Sequence, residues 1–299
     1  MSKVLICDSV DAQAVDAMRE AGVVVDVRDT ITLDELGQVI GEYDGIVVRS
    51  RTKVRAPLLE NPGDLKLIIR GGVGLDSIDV AVAESKGIKV ANTPAASSNA
   101  VAELVLGMIF SLARNIAVAD ASMKAEKWEK KKLKGTEVAG KTLGIIGYGR
   151  IGRMLAEKAR ALGMMVVAYD PYIDNADLVT LEELLSVSDY VSLHIPHTNE
   201  THNLLGATQF ALMKPGACVI NAARGGTVDE DALYAALVSG HLAGAALDVY
   251  TEEPPQSEAL HKLIALPQVV ATPHIGAATV EAQERIGDEI VKLVKEYLG

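Results

Sequence analysis

The sequence has few cysteines and few aromatic residues. Its two cysteines, Cys7 and Cys218, lie inside apolar runs and form no CxxC pair. This excludes a disulfide framework and indicates a reducing compartment, so we expect a cytoplasmic protein. Aromatic residues make up 4% of the chain, whereas 49% of it is hydrophobic. Because alanine, valine, leucine and isoleucine dominate, the composition favours helices packed against parallel sheets over an all-β design.

The sequence also lacks an excess of positive charge: 29 lysines and arginines stand against 40 acidic residues, and the net charge is −11. A general nucleic-acid binder must neutralise many phosphates, so we expect no nucleic-acid partner. A small anionic substrate remains compatible with this balance where positive charge is concentrated locally. The most apolar helix candidate, residues 101–113, contains Glu103 and is too short to span a bilayer. The N-terminus has no signal-peptide design, so we expect no membrane partner.

Short apolar runs alternate with longer segments of helical periodicity along the chain. This βαβα rhythm is typical of open parallel sheets covered by helices, and two sets of strands predict two such domains. Interruptions rich in proline and small residues, at 92–99 and 272–276, mark candidate boundaries. The predicted strands are KVLIC, GIVVRS, LKLIIR and IKVAN, then TLGIIG, MVVAYD, YVSLHI, ACVIN, AGAALDV and VVAT.

A glycine motif follows the strand TLGIIG. It reads Gly147-Tyr148-Gly149-Arg150-Ile151-Gly152; a helix follows, and a second strand ends at Asp170. In this context GxGxxG predicts a dinucleotide site, with Gly147 in the tight turn, Gly149 beside the pyrophosphate and Gly152 where the helix packs on the strand. The start of the helix attracts phosphates. Asp170 can accept hydrogen bonds from ribose hydroxyls and repels the extra phosphate of NADP, so we predict NAD as the cofactor.

Two other strand ends carry groups suited to moving a proton and a hydride. Arg224, in NAARGG, can hold a carboxylate and the neighbouring oxygen together with its planar fork. His274, in ATPHIG, is the candidate acid/base. A carboxylate would orient this histidine, and both Glu252 and Glu253 in DVYTEEPP are available. The residues themselves leave the choice between the two glutamates open.

Three clusters admit two interpretations each. The closely spaced histidines His194, His197 and His202 could suggest a metal, but they lie in no helix and near no carboxylate pattern, so we expect no metal site. After GIVVRS, four cations alternate with other residues: Arg49, Arg51, Lys53 and Arg55. In an extended segment they share one face, which is either a phosphate site or a solvated edge. The lysine-rich segment 124–135 is either a solvated helix face or a contact surface.

Taken in order, GYGRIG with Asp170, NAARGG, DVYTEEPP and TPHIG resemble the D-isomer-specific 2-hydroxyacid dehydrogenase family over essentially the whole chain. Within it, VRSRTKV, RGGVGLDSIDV, NTPAASSNAVAEL and KWEKKKLKGTEVAGKTLGIIG resemble the D-3-phosphoglycerate dehydrogenases. The resemblance implies an α/β fold of two doubly wound parallel-sheet domains. A Rossmann NAD domain, residues 94–274, is then inserted into a discontinuous flavodoxin-like substrate domain, residues 1–93 and 275–299.

The resemblance also implies roles for single residues. It makes Arg224 the holder of the substrate's carboxylate and carbonyl, chooses Glu253 as the partner of the histidine, and makes His274 the acid/base. The implied substrate contacts are Arg49, Ser50, Arg70, Gly72, Arg224 and His274. The implied cofactor contacts, beyond the glycines of the motif, are Val73, Arg150, Ile151, Asp170, His194, Ile195, Pro196, Thr201, Ala222, Ala223, Asp248 and Gly276. Many family members have threonine in place of Val73, so one polar contact is expected to be missing.

The activity implied is the NAD-dependent oxidation of 3-phospho-D-glycerate to 3-phosphooxypyruvate, the first step of serine biosynthesis, by a homodimer in which the lysine-rich segment reaches the partner. Since the chain stops after Gly299, we expect no C-terminal regulatory domain. One alternative is another 2-hydroxyacid or 2-oxoacid, such as glyoxylate, hydroxypyruvate or D-lactate. A second is a non-enzymatic, NAD-sensing scaffold resembling a transcriptional co-repressor, against which the complete set of arginine, glutamate and histidine argues.

Overall fold

The computed structural model describes residues 1–173 and 178–299. The chain divides into two compact units, the first formed by Met1–Ser98 with Ala277–Gly299 and the second by Asn99–Gly276. Each is built on one parallel sheet, of five strands and six strands respectively, so the predicted α/β class is confirmed. The division at 93/94 and 274/275 into a substrate domain and an NAD domain stays a prediction.

The elements alternate as the sequence predicts. The strands are β1 (Lys3–Ile6), β2 (Val24–Val27), β3 (Gly45–Val48), β4 (Leu67–Arg70), β5 (Lys89–Asn92), β6 (Thr142–Ile146), β7 (Met165–Tyr169), β8 (Tyr190–Leu193), β9 (Cys218–Asn221), β10 (Gly244–Leu247) and β11 (Val269–Ala271). The helices are α1 (Ala12–Glu20), α2 (Leu33–Val39), α3 (Val80–Ser85), α4 (Ser98–Arg114), α5 (Ile116–Lys124), α6 (Arg150–Ala161), α7 (Leu181–Val187), α8 (Ala207–Leu212), α9 (Glu230–Val238), α10 (Glu258–Ile264) and α11 (Val280–Leu298).

The first unit has the strand order β2-β1-β3-β4-β5, which is the flavodoxin order. Helices α1 and α11 pack on one face of this sheet, and α2 and α3 cover the other. Side-chain caps stabilise the N-termini of two helices. The Asp11 carboxylate accepts from Gln13 N at the start of α1, and Thr32 with Glu35 forms a capping box on α2. The covered faces explain why β3 is buried along its whole length.

Strand β2 is not among the strands predicted from the sequence. This strand lies at the edge of the sheet and pairs only with β1, and its Val24 and Val27 are 44% and 47% exposed. Its apolar run is broken by Asp26, whose carboxylate accepts a hydrogen bond of 2.7 Å from the buried Tyr43 hydroxyl. An acidic residue in a short apolar run makes the strand hard to recognise, because its hydrogen-bond partner, Tyr43, lies in a turn that is distant in sequence.

The second unit has the strand order β11-β10-β9-β8-β6-β7. Helices α4 and α6 pack on one face of the sheet, and α7 to α10 pack on the other. The chain reverses its direction of winding between β6 and β8. In open parallel sheets, ligands bind beyond the carboxyl ends of the strands at such a reversal.

Within the described part of the chain, no single helix combines the length and the apolar character needed to cross a membrane. Helices α4 and α5 reach that length and composition only when taken together, and they meet at an angle of 67°. The lysine-rich segment 124–135 is not a helix face: beyond the end of α5 it contains only a short 3₁₀ turn, Lys130–Lys132.

Candidate active site

The glycine turn joins β6 to α6 at the reversal point. Gly147 has a φ of 94°, and a Cβ there would lie 2.5 Å from the His194 carbonyl oxygen. A Cβ on Gly152 would overlap the Gly147 carbonyl oxygen, so helix and turn require glycine there too. At Gly149, by contrast, a Cβ would meet nothing within 4 Å. The turn is therefore closed by protein on two sides and open at Gly149, which fits a ligand phosphate approaching the backbone.

Asp170 follows β7 and lies beside this turn. One carboxylate oxygen accepts a hydrogen bond from Tyr148 N at 2.8 Å, and the other accepts one from Tyr172 N at 3.0 Å. Each carboxylate oxygen has two acceptor sites, so these bonds leave capacity for ribose hydroxyls. The sequence did not reveal that Asp170 also fixes the turn, since its partner Tyr148 lies on the preceding strand-to-helix loop. Arg150 and Ile151 form the first turn of α6.

The segment after β8 contains the predicted residues His194, Ile195 and Pro196, and Thr201 follows. Thr201 Oγ1 donates to the Pro196 carbonyl at 2.6 Å and closes this loop. His194 Nε2 lies 2.9 Å from Ser192 Oγ, and burial lowers the pKa of His194 to about 4. This imidazole is therefore neutral near pH 7, and its buried Nδ1 has no hydrogen-bond partner in the described residues.

The other two histidines of this cluster meet each other. His197 Nε2 lies 3.1 Å from His202 Nδ1. Among the residues that the structure describes, no group of three or more histidine, cysteine, aspartate or glutamate side chains is placed to bind a metal ion.

The Arg224 loop follows β9 and is organised by Asn221, which is 2% exposed. The side-chain oxygen Oδ1 of Asn221 accepts from Ala223 N at 3.1 Å, and the side-chain nitrogen Nδ2 donates to the Arg224 main-chain carbonyl at 3.0 Å. A Cβ on Gly225 would overlap the Tyr250 carbonyl, so the small residues of NAARGG allow this loop to pack against the loop after β10. Ala222 and Ala223 are buried at the strand end, and Arg224 Nη1 donates to the Ala223 carbonyl at 2.6 Å.

His274 and Glu253 form a direct pair, with Nδ1 and Oε2 2.7 Å apart. The other Glu253 oxygen accepts from Tyr250 N at 3.1 Å, which fixes the carboxylate. Glu252 points elsewhere: it accepts from Gln256 N at 3.0 Å and from Ser257 N at 2.8 Å, and these bonds lower the pKa of Glu252. The choice that the residues alone left open is thus made by main-chain geometry. With Nδ1–H directed to Glu253, the neutral ring presents Nε2 as a proton acceptor.

The loop that carries His274 is held by Asp248, which is 1% exposed. Asp248 Oδ1 accepts from Thr272 Oγ1 at 2.6 Å and from Ile275 N at 2.8 Å, and Oδ2 accepts from Gly276 N at 2.8 Å. These bonds bracket His274, whose φ of 54° lies in the left-handed region. The residues expected to touch the cofactor, Asp248 and Gly276, therefore bond to each other around the histidine. The sequence gives no signal for this clamp.

Tyr250 links the ends of β10 and β11, the strands that precede Glu253 and His274. Its hydroxyl lies 3.0 Å from both the Leu247 and the Thr272 carbonyl oxygens. Burial raises the pKa of Tyr250 to about 12, so the hydroxyl keeps its proton and can donate it.

The predicted substrate residues of the first unit lie at the carboxyl ends of β3 and β4. Arg70 Nη2 donates to Ser50 Oγ at 3.3 Å. Gly72 has a φ of 146°, and a Cβ there would overlap the Arg70 guanidinium, which lies across it. The Val73 carbonyl accepts from Asn92 Nδ2 at 2.5 Å. Arg49 and Ser50 directly follow β3. The substrate residues predicted in the first unit therefore all lie near the carboxyl ends of β3 and β4.

Two of the four cations that follow β3 form ion pairs within the unit. Arg51, Lys53 and Arg55 are exposed while Thr52 and Val54 are buried, as the alternation predicts. Arg51, however, pairs with the Asp8 carboxylate at 2.9 Å, and Arg55 pairs with Asp79 at 3.0 Å. Both carboxylates come from other loops, so two of the four cations are used to hold the unit together.

Comparison with known proteins identifies the family. Residues 106–276 match the family model described as the NAD-binding domain of D-isomer-specific 2-hydroxyacid dehydrogenases. The chain is 47% identical over 301 residues to a hydroxypyruvate reductase of Thermotoga maritima, covering 99% of this chain and 98% of that protein. It is 44% identical to a D-3-phosphoglycerate dehydrogenase of Methanocaldococcus jannaschii, of which it spans only 58%.

A solved structure gives the same result for the fold. The D-lactate dehydrogenase of Aquifex aeolicus, in complex with NAD and lactic acid, superposes with a TM-score of 0.86 at 32% identity, covering 99% of this chain and 95% of that one. With the glycine turn, Asp170 and the paired histidine already in place, these matches leave one assignment. The chain belongs to the NAD-dependent D-isomer-specific 2-hydroxyacid dehydrogenase family.

Proposed function

We propose that the protein catalyses the NAD-dependent oxidation of 3-phospho-D-glycerate to 3-phosphooxypyruvate, the first step of serine biosynthesis. The observation that carries the proposal is the pair of His274 and Glu253 at 2.7 Å. When bound, NAD supplies the hydride acceptor, and the open position at Gly149 fits its pyrophosphate. The cofactor contacts are the residues of the glycine turn, Asp170 and the segment after β8.

His274 accepts the hydroxyl proton through Nε2 as the hydride leaves C2 and the carbonyl forms. Glu253 stabilises the imidazolium that results, because its carboxylate already holds Nδ1. Arg224 stabilises the oxygen that becomes the carbonyl and holds the neighbouring carboxylate. Asp248 keeps the histidine loop in place during this transfer through its bonds to Ile275 and Gly276.

The phosphate of the substrate is assigned to Arg49, Ser50 and Arg70. Support comes from the bond between Arg70 and Ser50 and from the position of all three residues at one sheet edge. Together with Arg224, Arg49 and Arg70 give three guanidinium groups for a substrate that carries both a carboxylate and a phosphate. A substrate with a single carboxylate has no evident need for the third guanidinium.

Reduction of hydroxypyruvate is the second candidate. It is favoured by one observation: the Thermotoga maritima relative bearing that name is matched over 98% of its length. Hydroxypyruvate lacks the phosphate, so the two candidates differ in their dependence on Arg49 and Arg70. The same His274 would donate its proton in this direction.

We also propose a cytoplasmic homodimer. The support is three exposed apolar side chains in or before the lysine-rich segment: Trp128, Met123 and Ile116 are 78%, 56% and 52% exposed. Burial of such side chains against a second copy is favourable by about 25 cal/mol for each Å² of apolar surface.

Initial rates with a panel of acids test the proposed substrate. NADH formation is measured with 3-phospho-D-glycerate and with D-glycerate, and NADH consumption with hydroxypyruvate. We expect kcat/KM for the phosphorylated acid to exceed that for D-glycerate by on the order of 10²-fold, since two charged contacts are lost without the phosphate. Equal values for the two acids, with faster turnover of hydroxypyruvate, would assign the protein to the second candidate.

A further inference from the structure

The main chain around Arg49 is fixed by one buried carboxylate. Asp8 is 3% exposed and follows β1. Its oxygens accept from Arg49 N, from Thr52 N at 3.2 Å and from Thr52 Oγ1 at 2.7 Å, in addition to the Arg51 guanidinium. The loop 49–52 is thus wrapped around Asp8, and the Cα position of Arg49 is set.

The guanidinium of Arg49 is held from the other side of the unit by Gln283 on α11. Gln283 Oε1 accepts from Arg49 Nη1, and Gln283 Nε2 donates to the Ala277 carbonyl at 2.5 Å. A carbonyl only accepts and a guanidinium only donates, so these two partners fix which end of the amide is oxygen. The acceptor end of Gln283 therefore faces Arg49.

The bonds of Arg49 are concentrated on one nitrogen. Nη1 donates to Gln283 and to the Ser9 carbonyl at 3.4 Å. Within residues 1–173 and 178–299, Arg49 Nε and Nη2 make no hydrogen bond to the protein. The stem packs against Gly71, where a Cβ would lie 3.4 Å from Arg49 Cγ. The edge formed by Nε and Nη2 is one that grips an oxyanion with two parallel bonds.

We infer that Gln283 is a positioning residue that sets substrate specificity, because it occupies Nη1 of Arg49 and leaves the Nε–Nη2 edge to the substrate's phosphate. The inference rests on the proposed function, in which Arg49 binds that phosphate. A neutral amide suits the task. A carboxylate in its place would neutralise the guanidinium, whereas an aliphatic side chain would let it rotate.

The test compares Gln283→Leu and Gln283→Glu with the wild type. We expect KM for 3-phospho-D-glycerate to rise about tenfold in the first variant and further in the second, since a hydrogen bond to a charged group is lost or its charge is neutralised. We expect kcat and the Kd for NAD to change less than about twofold, because α11 and Arg49 both belong to the first unit, whereas the glycine turn and His274 belong to the second. Glu284→Gln, at the exposed neighbouring position of α11, is the matched control and keeps the wild-type KM. An unchanged KM in Gln283→Glu would overturn the inference.

A double-mutant cycle separates this role from a structural one. In the Arg49→Ala background, Gln283→Leu should have no further effect on kcat/KM, because its target is gone. The same loss in both backgrounds would mean that Gln283 acts through packing, and the inference would be wrong. If Arg49→Ala raises KM while Gln283→Leu does not, the inference alone fails. If Arg49→Ala leaves KM unchanged, the phosphate assignment fails with it.

Discussion

At the scale of single residues, two adjacent glutamates show how main-chain bonds decide chemistry. Glu252 is committed to the amides that begin α10, and Glu253 is held by Tyr250 N with its second oxygen on His274. The sequence predicted an arginine, a histidine and a glutamate at strand ends, but it left the two glutamates equivalent. The family resemblance chose Glu253, and the fold gives the physical reason, because it sets the direction of the turn after β10.

His194 predicts a pH dependence of stability. Burial holds the pKa of its imidazole at about 4 in the folded protein, against an ordinary value of 6.5. The unfolded chain therefore binds the proton first, and folding stability is lost as the pH falls from 6.5 towards 4. Between about pH 7 and about pH 5 the loss from this one group is about 2 kcal/mol.

The variant His194→Gln keeps a polar partner for Ser192 and cannot titrate in this range. Urea unfolding at the two pH values measures the effect, and we expect a smaller acid-induced loss of unfolding free energy in the variant. An identical loss in both proteins would show that the folded protein does not hold His194 neutral.

At the scale of elements, the three glycines of the turn between β6 and α6 have different tasks. A Cβ at Gly152 would overlap the Gly147 carbonyl oxygen and lie 3.1 Å from Ile145 Cγ2, whereas one at Gly149 would enter open space. Stability should therefore depend on Gly152, and cofactor binding on Gly149.

We predict that Gly152→Ala lowers the free energy of unfolding by about 1–3 kcal/mol through overpacking. Gly149→Ala should keep its stability within about 0.5 kcal/mol. Its methyl group should weaken NAD binding by on the order of tenfold, because it occupies the place of the pyrophosphate. Urea midpoints and calorimetric titration with NAD measure both. Wild-type NAD affinity in Gly149→Ala would mean that the pyrophosphate does not lie there.

Periodicity and turn residues predicted most elements but not the contacts between their loops. The exposed positions of Arg51, Lys53 and Arg55 follow from alternation along one segment. The pairing of Arg51 with Asp8 joins loops more than forty residues apart, as does the bond from Arg49 to Gln283 across the sequence. Such contacts depend on the order of the strands in the sheet, including the edge strand β2, which was not predicted. The periodicity of a single sequence does not show the order of strands in a sheet.

At the scale of the whole molecule, an acidic chain with a net charge of −11 is proposed to bind a small anion. In this proposal a few cations bind the anion, and neutral side chains of the protein hold them in position. Arg49 is held by Gln283 and Arg70 by contact with Ser50, and the Arg224 loop is organised by Asn221. Two further cations that follow β3, Arg51 and Arg55, form ion pairs with carboxylates of the same unit.

We propose that His274 carries the substrate's proton, and the turnover of His274→Ala tests this role directly. NADH formation from 3-phospho-D-glycerate is followed at saturating NAD, and the Kd for NAD is measured on the same preparation. We expect kcat to fall by on the order of 10²- to 10⁴-fold, the usual contribution of general acid–base catalysis, while NAD binding stays at its wild-type strength. A variant that turns over at the wild-type rate would contradict it.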